Sequence, residues 1–517
     1  MTVRDDSSYV FGAASSKRRP AARRDVVILG TGIASSFLAA LLGRQGLDVL
    51  VVDHSTHPKF AVGESMVPYL TAVWHGLAEQ YDVPELSPLR LREDLAASVG
   101  VKANFGFVYH RPGERAVPAE MLQHANPARR EMHLFRQDVD ARMVYDAIRH
   151  GVDFRFNTTV ASVEIRHDRV LITLGGGDSL ESQYVVDGTG FRSILANGMR
   201  LRDRVPRLRT RSASCFTHMI DVEPFDAIRE GDWHGMKGRF AEGTLHHVFR
   251  DGWLWVIPFN NTDRSRNPVI SVGLQLNLRR RRLGAAPGPK EVIDLVKSLP
   301  DVQRQFRNAK AVRPWVSARR LQYSSSSCVG HRYCLLPHAY GFVDPLYSRG
   351  LCFAFDGIKA LVPPLLESVR AGDFSDEHFR PLDRLYATLL AHHDQLVHGS
   401  YLSFQNVGLW RNWYEFWNLS TSAGERPLVR AATRGLETGD FTDFDRCDHK
   451  GAMGAYEERM ESACQVMAAA EAGTLSMDAA VEMVAALSRT SWSHYRHSTQ
   501  ERGAGAVARR GVQRRSV

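Results

Sequence analysis

Two uninterrupted runs of apolar residues near the start of the chain predict strands that are buried on both faces. The runs are Val26–Leu29 and Val49–Val52, and such stretches are typical of parallel strands covered by helices. Between them, residues 36–45 have the pattern of a helix, and Gly46 ends it. The order strand, helix, strand predicts a βαβ unit and an α/β fold.

Alternation of side chains between two faces predicts a further strand over residues 99–109. Lys102 falls on one face of this strand, and Phe105 and Phe107 fall on the other. The pattern alone favours a lysine at the edge of a sheet, where its amine faces water.

Strand-like runs recur over residues 212–276 and predict a second, larger sheet. Trp253, Trp255 and Ile257 occupy alternate positions there and therefore share one face. Pro258 either ends this strand or places it at an edge of the sheet, because proline cannot donate a hydrogen bond to a neighbouring strand.

The formal net charge of +9 is concentrated at the two ends of the chain. Residues 1–24 carry +4 and residues 494–517 carry +5, so the body between them is formally neutral. We therefore expect two disordered basic tails and no nucleic-acid partner. The chain has no apolar run long enough to span a membrane and no secretory signal, so we expect a cytoplasmic protein with no membrane contact.

Neither the cysteines nor the histidines predict a metal site. The six cysteines lack the spacing of zinc ligands. His392, His393, Asp394 and His398 also lack a recognised ligand spacing, and we expect them on the surface of a helix.

The turn after the first apolar run predicts a nucleotide site. Gly30 permits a tight turn, and Gly32 lets backbone N–H groups approach a pyrophosphate at the start of the next helix. Ser35 replaces the third glycine of the dinucleotide fingerprint. Asp53 ends the second strand, where a carboxylate can accept hydrogen bonds from a ribose.

One later stretch favours FAD over NAD, and two others resemble further parts of a flavin site. Residues 63–65 read Gly-Glu-Ser, and their place after the second strand resembles FAD-dependent monooxygenases and halogenases. Arg136 is the expected flavin-contacting arginine, because the stretch around it resembles a connection in flavin monooxygenases. Asp187 and Gly190 belong to a strand end that resembles the Asp-x-x-Gly turn completing the dinucleotide site in those proteins.

Two further motifs carry a more specific resemblance. Residues 253–258 read Trp-x-Trp-x-Ile-Pro, and residues 342–350 read Phe-x-x-Pro-x-x-Ser-x-Gly at the start of a predicted helix. Both resemble signatures of the flavin-dependent halogenases. Together with the glycine turn and the Gly-Glu-Ser turn, the match extends from about residue 25 to about residue 420.

The resemblance implies a two-component enzyme. A separate NAD(P)H-dependent reductase supplies reduced FAD, which reacts with O2 to a C4a-hydroperoxide, and chloride or bromide then yields hypohalous acid. The acid passes through a tunnel to a lysine, which on this resemblance is Lys102, while the tryptophan pair keeps the organic substrate from the flavin. The resemblance also implies that Pro345, Ser348, Arg349 and Gly350 bind the halide.

Two departures from the family pattern bear on the site. Tryptophan halogenases carry a glutamate where this chain has Tyr347, which disfavours free tryptophan as the substrate. Many relatives carry Gly-Asp where this chain has Pro337 and His338, so that flavin contact is not transferred. The chain most resembles the branch acting on phenylpyrroles and aromatic polyketides. We therefore expect a phenolic polyketide, such as a tetracycline, or a phenylpyrrole, free or carrier-tethered, in secondary metabolism.

Two alternatives stay open from the sequence. A FAD-dependent aromatic monooxygenase, which hydroxylates its substrate, shares the fold and the cofactor but does not require Trp253, Trp255 or Lys102. A non-catalytic protein that binds flavin or nucleic acid would use the basic tails.

The predicted architecture is α/β, with a Rossmann-like FAD-binding domain of the flavin monooxygenase type, an interleaved mixed β-sheet substrate domain and a C-terminal helical region. The predicted segments are a tail (1–24), the FAD-binding domain with the Lys102 strand inserted (25–200), the substrate sheet (201–330), a return to the FAD-binding domain (331–365), the helical region (366–493) and a second tail (494–517). The predicted cofactor-binding residues are Gly30, Gly32, Ile33, Ala34, Ser35, Asp53, Gly63, Glu64, Ser65, Arg136, Asp187, Gly190 and Asp344.

Overall fold

The computed structural model describes residues 23–125, 130–228, 236–282, 284–447 and 450–491. The two predicted basic tails lie outside these residues, apart from Arg23 and Arg24. Arg24 already begins the first strand and forms salt bridges with Asp48 and Asp153. The first strand therefore starts one residue before the predicted boundary.

The strands of the described residues form two eight-stranded sheets and one two-stranded sheet. In chain order they are β1 (Arg24–Leu29), β2 (Val49–Val52), β3 (Gly100–Lys102), β4 (Asn104–His110), β5 (Leu122–Ala125), β6 (Glu131–His133), β7 (Asp153–Arg155), β8 (Val160–Ile165), β9 (Val170–Leu174), β10 (Ser179–Asp187), β11 (Ser212–Ile220), β12 (Gly243–Phe249), β13 (Gly252–Pro258), β14 (Ile270–Asn277), β15 (Lys310–Ala311), β16 (Val316–Ala318), β17 (Val329–Gly330) and β18 (Tyr333–Leu335).

The helices connect and cover these sheets. They are α1 (Ile33–Arg44), α2 (Pro68–Gln80), α3 (Pro88–Asp94), α4 (Arg136–Arg149), α5 (Ile194–Gly198), α6 (Pro289–Ser298), α7 (Pro300–Gln305), α8 (Pro337–Tyr340), α9 (Arg349–Ala371), α10 (Asp376–Ser403), α11 (Val407–Thr438), α12 (Thr442–Arg446), α13 (Lys450–Glu471) and a last helix over 477–491. Among the described residues, none of these helices is both long and apolar enough to cross a membrane.

The first sheet has the order β17-β18-β10-β1-β2-β7, and β8 and β9 form a hairpin that extends it from β10. β1 runs parallel to both β10 and β2. The residues Val26–Leu29 are fully buried, because α1 packs against α4 and α9 and helices cover the strands. The predicted buried βαβ unit is confirmed.

The second sheet has the order β15-β11-β14-β13-β12-β4-β5, with β16 also paired to β11. β4 runs parallel to β12, and the other pairs are antiparallel, so the sheet is mixed. β4 and β5 precede β7 of the first sheet along the chain. The two sheets are therefore interleaved in sequence, as predicted.

The predicted strand over 99–109 is wrong in one respect, because it breaks at Ala103. β3 pairs with β6, whereas β4 joins the second sheet. Lys102 is only 5% exposed, so the expectation of a lysine facing water is also wrong. The break brings the Lys102 amine to 3.9 Å from the centre of the Phe105 ring, although simple alternation separates these two side chains.

The helical region begins earlier than predicted. α9 runs across the expected boundary at 365, and β17 already belongs to the first sheet although it precedes residue 331. The expected surface position of the histidine cluster is wrong as well. His392, Asp394 and His398 are buried, and the Asp394 carboxylate accepts hydrogen bonds from the backbone N–H groups that begin the approach to β11.

Candidate active site

A cavity of about 510 Å³ is lined by strands of the second sheet, by the turns that follow β10 and β18 of the first sheet, and by the N-terminal ends of α1 and α9. The predicted site residues that line it are Gly32, Ile33, Ala34, Ser35, Gly63, Glu64, Ser65, Arg136, Trp253, Trp255, Ile257, Pro345, Ser348 and Gly350. The predicted site residues that do not line it are Gly30, Asp53, Lys102, Asp187, Gly190, Pro258, Asp344 and Arg349.

One wall of the cavity depends on the close approach of two strand ends. Gly30 directly follows β1 and has a φ of 89°. A Cβ there would lie 3.0 Å from the carbonyl oxygen of Gly188. A Cβ on Gly188 would lie 2.0 Å from the Ser35 hydroxyl. Gly32 is different, because a Cβ there would meet no protein atom within 4 Å. The chain thus leaves open space at the N-terminus of α1.

Two buried carboxylates stabilise the turns around this wall. Asp53 accepts hydrogen bonds from Thr31, Ser55 and Lys59. Burial by itself would raise the pKa of Asp53, but these donors outweigh it and hold the pKa below its ordinary value. Asp187 is fully buried and accepts hydrogen bonds from the turn that follows β10. The predicted contact between Asp53 and a ribose stays a prediction.

The Gly-Glu-Ser turn and Arg136 form another part of the cavity wall. Arg136 donates to the carbonyl oxygen of Val62 at 2.6 Å and makes a two-point ion pair with Asp140. Burial alone would lower the pKa of Arg136, but the Asp140 carboxylate raises it above its ordinary value. Glu64 and His218 are joined by a 2.7 Å hydrogen bond. Arg136 is thus a fixed cation in the cavity wall.

The tryptophan strand presents its bulky face to the cavity. The ring centres of Trp253 and Trp255 lie 5.7 Å apart. Trp253 Nε1 donates to the Tyr401 hydroxyl at 3.2 Å, and that hydroxyl donates to Asp344 at 3.0 Å. Pro258 ends β13 in the middle of the sheet, so the alternative of an edge strand is wrong. Asp344 therefore lies behind the tryptophan and holds it in place.

The second motif turns sharply where it meets the cavity. Tyr347 and Ser348 both have a left-handed backbone, with φ of 70° and 56°, and α9 begins at the next residue. The Arg349 side chain turns away from the cavity to form an ion pair with Glu425. The cavity therefore meets the backbone and the Ser348 side chain at this helix start, and not the Arg349 guanidinium.

Lys102 lies behind the cavity wall. Its amine donates to the Ser65 hydroxyl at 2.8 Å, and Ser65 lines the cavity. Burial holds the pKa of Lys102 well below its ordinary value, and the carboxylate of Glu131 on the paired strand only partly opposes this. The site thus places a readily deprotonated amine one side chain away from the cavity.

Two known enzymes align with most of this chain. The monodechloroaminopyrrolnitrin halogenase PrnC of Pseudomonas fluorescens is 40% identical over 432 residues, which cover 82% of this chain and 76% of that one. The tetracycline 7-halogenase of Kitasatospora aureofaciens is 36% identical over 477 residues, which cover 89% and 85%. The chain belongs to the flavin-dependent halogenases.

Two further comparisons agree with this assignment. The family model described as tryptophan halogenase matches residues 25–83, which hold the βαβ unit and the Gly-Glu-Ser turn. The crystal structure of halogenase PltM in complex with phloroglucinol and FAD superposes with a TM-score of 0.86 at 31% identity, and the match covers 91% of this chain and 96% of that one. The protein is therefore a halogenase and not a hydroxylase.

Flavin-dependent halogenases use reduced FAD, halide and O2, depend on a separate flavin reductase and act on small aromatic substrates. The residues present fit a dinucleotide. The open space at Gly32 lies at the N-terminus of the twelve-residue helix α1, where backbone N–H groups favour an anion. Arg136 adds a buried positive charge to the same cavity.

Tyr347 occupies the place of the glutamate of tryptophan halogenases, and its surroundings are aromatic. Its ring stacks on Trp417 with centres 4.8 Å apart, and its hydroxyl forms a 2.5 Å hydrogen bond with Ser400. Burial raises the pKa of Tyr347, so the hydroxyl stays protonated. This halogenase therefore has no carboxylate at that position.

Sequence reasoning missed three residues around Lys102. Thr244 and His246 line the cavity from β12, where His246 faces Trp255 across the strand pair. Alternation on the strand before the tryptophans is the signal that could have found them. No local pattern marks His133, which meets Thr244 from 111 residues away. Among the described residues, no group of three or more metal-ligating side chains occurs.

Proposed function

We propose that this enzyme chlorinates or brominates an electron-rich phenol or pyrrole and does not use free tryptophan. The observation that carries the proposal is the buried Lys102 amine beside a cavity walled by Trp253 and Trp255. Tyr347 supports the substrate class, because a phenol or pyrrole ring needs less activation than the indole benzene ring. Relatives named for monodechloroaminopyrrolnitrin and tetracycline agree with it.

FAD would lie along the cavity wall built by α1 and the Gly-Glu-Ser turn. We infer that the N–H groups at Gly32 to Ser35 hold its diphosphate and that Arg136 adds a second positive contact. Asp53 would contact the ribose only by exchanging one of its present donors, because both of its oxygens already accept hydrogen bonds from Thr31, Ser55 and Lys59. When bound and reduced, FAD supplies the two electrons that activate O2 for oxidation of the halide.

The halide would bind at the start of α9. Ser348 and Gly350 line the cavity there, and the helix N-terminus attracts an anion. Because Arg349 points to Glu425, we infer that it contributes its backbone and stabilises the turn, and does not contact the halide with its side chain.

Lys102 would receive the oxidised halogen. A neutral amine has a lone pair, which can displace hydroxide from hypochlorous acid, giving an N–Cl bond and, after proton transfer, water. Burial lowers the pKa of Lys102 well below its ordinary value, which favours this neutral form. Transfer of chlorine to the ring then returns the amine and releases the ring proton. Exclusion of water from this buried site protects the oxidant from side reactions.

The partners follow from this chemistry. We propose that an NAD(P)H-dependent reductase supplies reduced flavin by diffusion and that the enzyme works in the cytoplasm, where reduced nicotinamide is available. The aromatic substrate reaches the enzyme free or attached to a carrier protein.

Lys102→Met tests the proposal, with Lys359→Met as the matched control because Lys359 is a half-buried lysine on α9 that does not line the cavity. Purified enzyme, FAD, reductase, NADH, O2 and chloride are incubated with phloroglucinol, and products are analysed by mass spectrometry. We expect Lys102→Met to lose the chlorinated product while still consuming reduced flavin, and Lys359→Met to retain both. Undiminished chlorination by Lys102→Met would refute the assignment of the lysine.

A further inference from the structure

Lys102 is the first member of a buried chain of hydrogen bonds. Its amine lies 2.8 Å from the Ser65 hydroxyl, which lies 2.7 Å from the Thr244 hydroxyl. The Thr244 hydroxyl lies 2.9 Å from Nε2 of His133, and Nδ1 of His133 lies 2.8 Å from the carbonyl oxygen of Pro258. The chain thus joins the Gly-Glu-Ser turn, the lysine strand and the end of the tryptophan strand.

The direction of every hydrogen bond in this series follows from its last acceptor, the carbonyl oxygen of Pro258. A carbonyl oxygen only accepts, so Nδ1 of His133 donates to it. His133 is fully buried, and burial is the main cause that lowers its pKa to about 3, so it is neutral and its Nε2 accepts. The Thr244 hydroxyl must then donate to His133, and the Ser65 hydroxyl must donate to Thr244.

This order of hydrogen bonds allows Lys102 to act only as a donor to Ser65. Because the Ser65 proton is committed to Thr244, the lysine must donate one N–H to the Ser65 oxygen. The lone pair of the neutral amine is therefore excluded from that contact and points to another side. The chain also ends at a peptide carbonyl, which cannot take up a proton, so it cannot carry protons away from the lysine.

We propose that Ser65, Thr244 and His133 are positioning residues that fix the Lys102 amine as a donor to Ser65 and thereby keep its lone pair free for the hypohalous acid. The inference rests on the proposed function of Lys102 and assigns to Ser65 a task besides the flavin contact. Ser65 and Thr244 also line the cavity, so they stand between it and the lysine.

Thr244→Val keeps the shape of the side chain and removes its hydroxyl. The Ser65 proton then has no acceptor on Thr244 and turns to the Lys102 nitrogen, where it occupies the lone pair. Thr244→Ser retains the hydroxyl and should restore the original order. Thr217→Val is the matched control, because Thr217 is a buried threonine of the same sheet whose hydroxyl donates to the backbone of Arg313.

The experiment measures kcat and KM for chlorination of phloroglucinol, consumption of reduced flavin, and chlorination of monochlorodimedone, a trap for free hypochlorous acid. For Thr244→Val we expect kcat to fall about tenfold, the factor that about 1.4 kcal/mol makes in a rate. KM and flavin consumption should stay unchanged, and the trap should be chlorinated faster. Thr244→Ser should come within about twofold of the native enzyme, since it retains the hydrogen bond.

Three results would overturn the inference. They are a native kcat in Thr244→Val, a Thr244→Ser variant as impaired as Thr244→Val, and an equal loss in Thr217→Val. If Thr244→Val does not fold, as judged by its melting temperature and FAD affinity, kcat of Thr244→Ala decides: it also removes the hydroxyl and should show the same loss, and a native kcat there overturns the inference. Lys102→Met run in parallel separates the two ideas. If Lys102→Met still chlorinates its substrate, the proposed function of the lysine is refuted. If Lys102→Met loses chlorination but Thr244→Val has a native kcat, only the proposed role of the hydrogen-bond chain is refuted.

Discussion

A methyl group added at Gly273 should push a tryptophan side chain into the flavin cavity. It lies in β14 directly opposite Trp255 of β13. A Cβ at this position would lie 2.1 Å from two carbons of the Trp255 indole, well inside the distance at which such atoms can pack. In Gly273→Ala the indole must therefore shift by roughly 1 Å or more, and the free side is the cavity.

The expected cost has two parts. Adding a methyl group to a packed core costs about 1 to 3 kcal/mol. The shift also breaks the 3.1 Å hydrogen bond from Trp255 Nε1 to the Ser271 hydroxyl, which contributes about 1 kcal/mol. We therefore expect Gly273→Ala to lower the free energy of unfolding by about 2 to 4 kcal/mol and to weaken FAD binding, because the indole enters the cavity.

Urea unfolding of a double-mutant cycle tests this reasoning. Trp255→Leu removes the indole, so Gly273→Ala should cost less than about 1 kcal/mol in that background. Gly176→Ala is the control, because a Cβ there meets no atom within 4 Å, and it should change stability by less than about 0.5 kcal/mol. An equal cost of Gly273→Ala with and without the indole would show that the clash is not its cause.

Two further predictions concern the second motif. Tyr347→Phe should keep the stack on Trp417, lose the hydrogen bond to Ser400 at a cost of about 1 kcal/mol, and retain chlorination of phloroglucinol; a loss of chlorination would give the hydroxyl a catalytic role. Burial raises the pKa of Asp344 to about 6 although Ser212 donates to it, so the folded state binds a proton more tightly than the unfolded state. As the pH rises from about 4 to about 6, the free energy of unfolding of the native enzyme should therefore fall by about 3 kcal/mol relative to that of Asp344→Asn. Urea unfolding at a series of pH values measures this, and the same pH dependence in both proteins would contradict it.

The βαβ unit could be predicted from sequence because burial on both faces leaves a continuous apolar run. Val26–Leu29 and Val49–Val52 are such runs, and both are central strands of the first sheet. The shared face of Trp253 and Trp255 followed from simple alternation. These features depend on residues that are neighbours in the chain, so a local pattern contains them.

The surroundings of Lys102 could not be predicted, because they depend on contacts between distant parts of the chain. The break at Ala103 follows from a change of partner, from β6 to β12, which no local pattern records. Thr244 and His133 reach Ser65 and each other only through tertiary packing. The motif around Arg349 was recognised from sequence. The ion pair that turns the Arg349 side chain away from the cavity was not, because its partner Glu425 lies in the distant helix α11.

The long separation between β1 and β10 has a consequence for synthesis of the protein on the ribosome. One edge of β1 pairs with β10, whose residues leave the ribosome roughly 150 residues after β1. At about 5 to 20 residues per second, that edge lacks its partner for roughly ten to thirty seconds. An unpaired apolar strand edge is a template for aggregation. The nascent chain must therefore be shielded over this interval before Gly30 and Gly188 can meet and the flavin can bind.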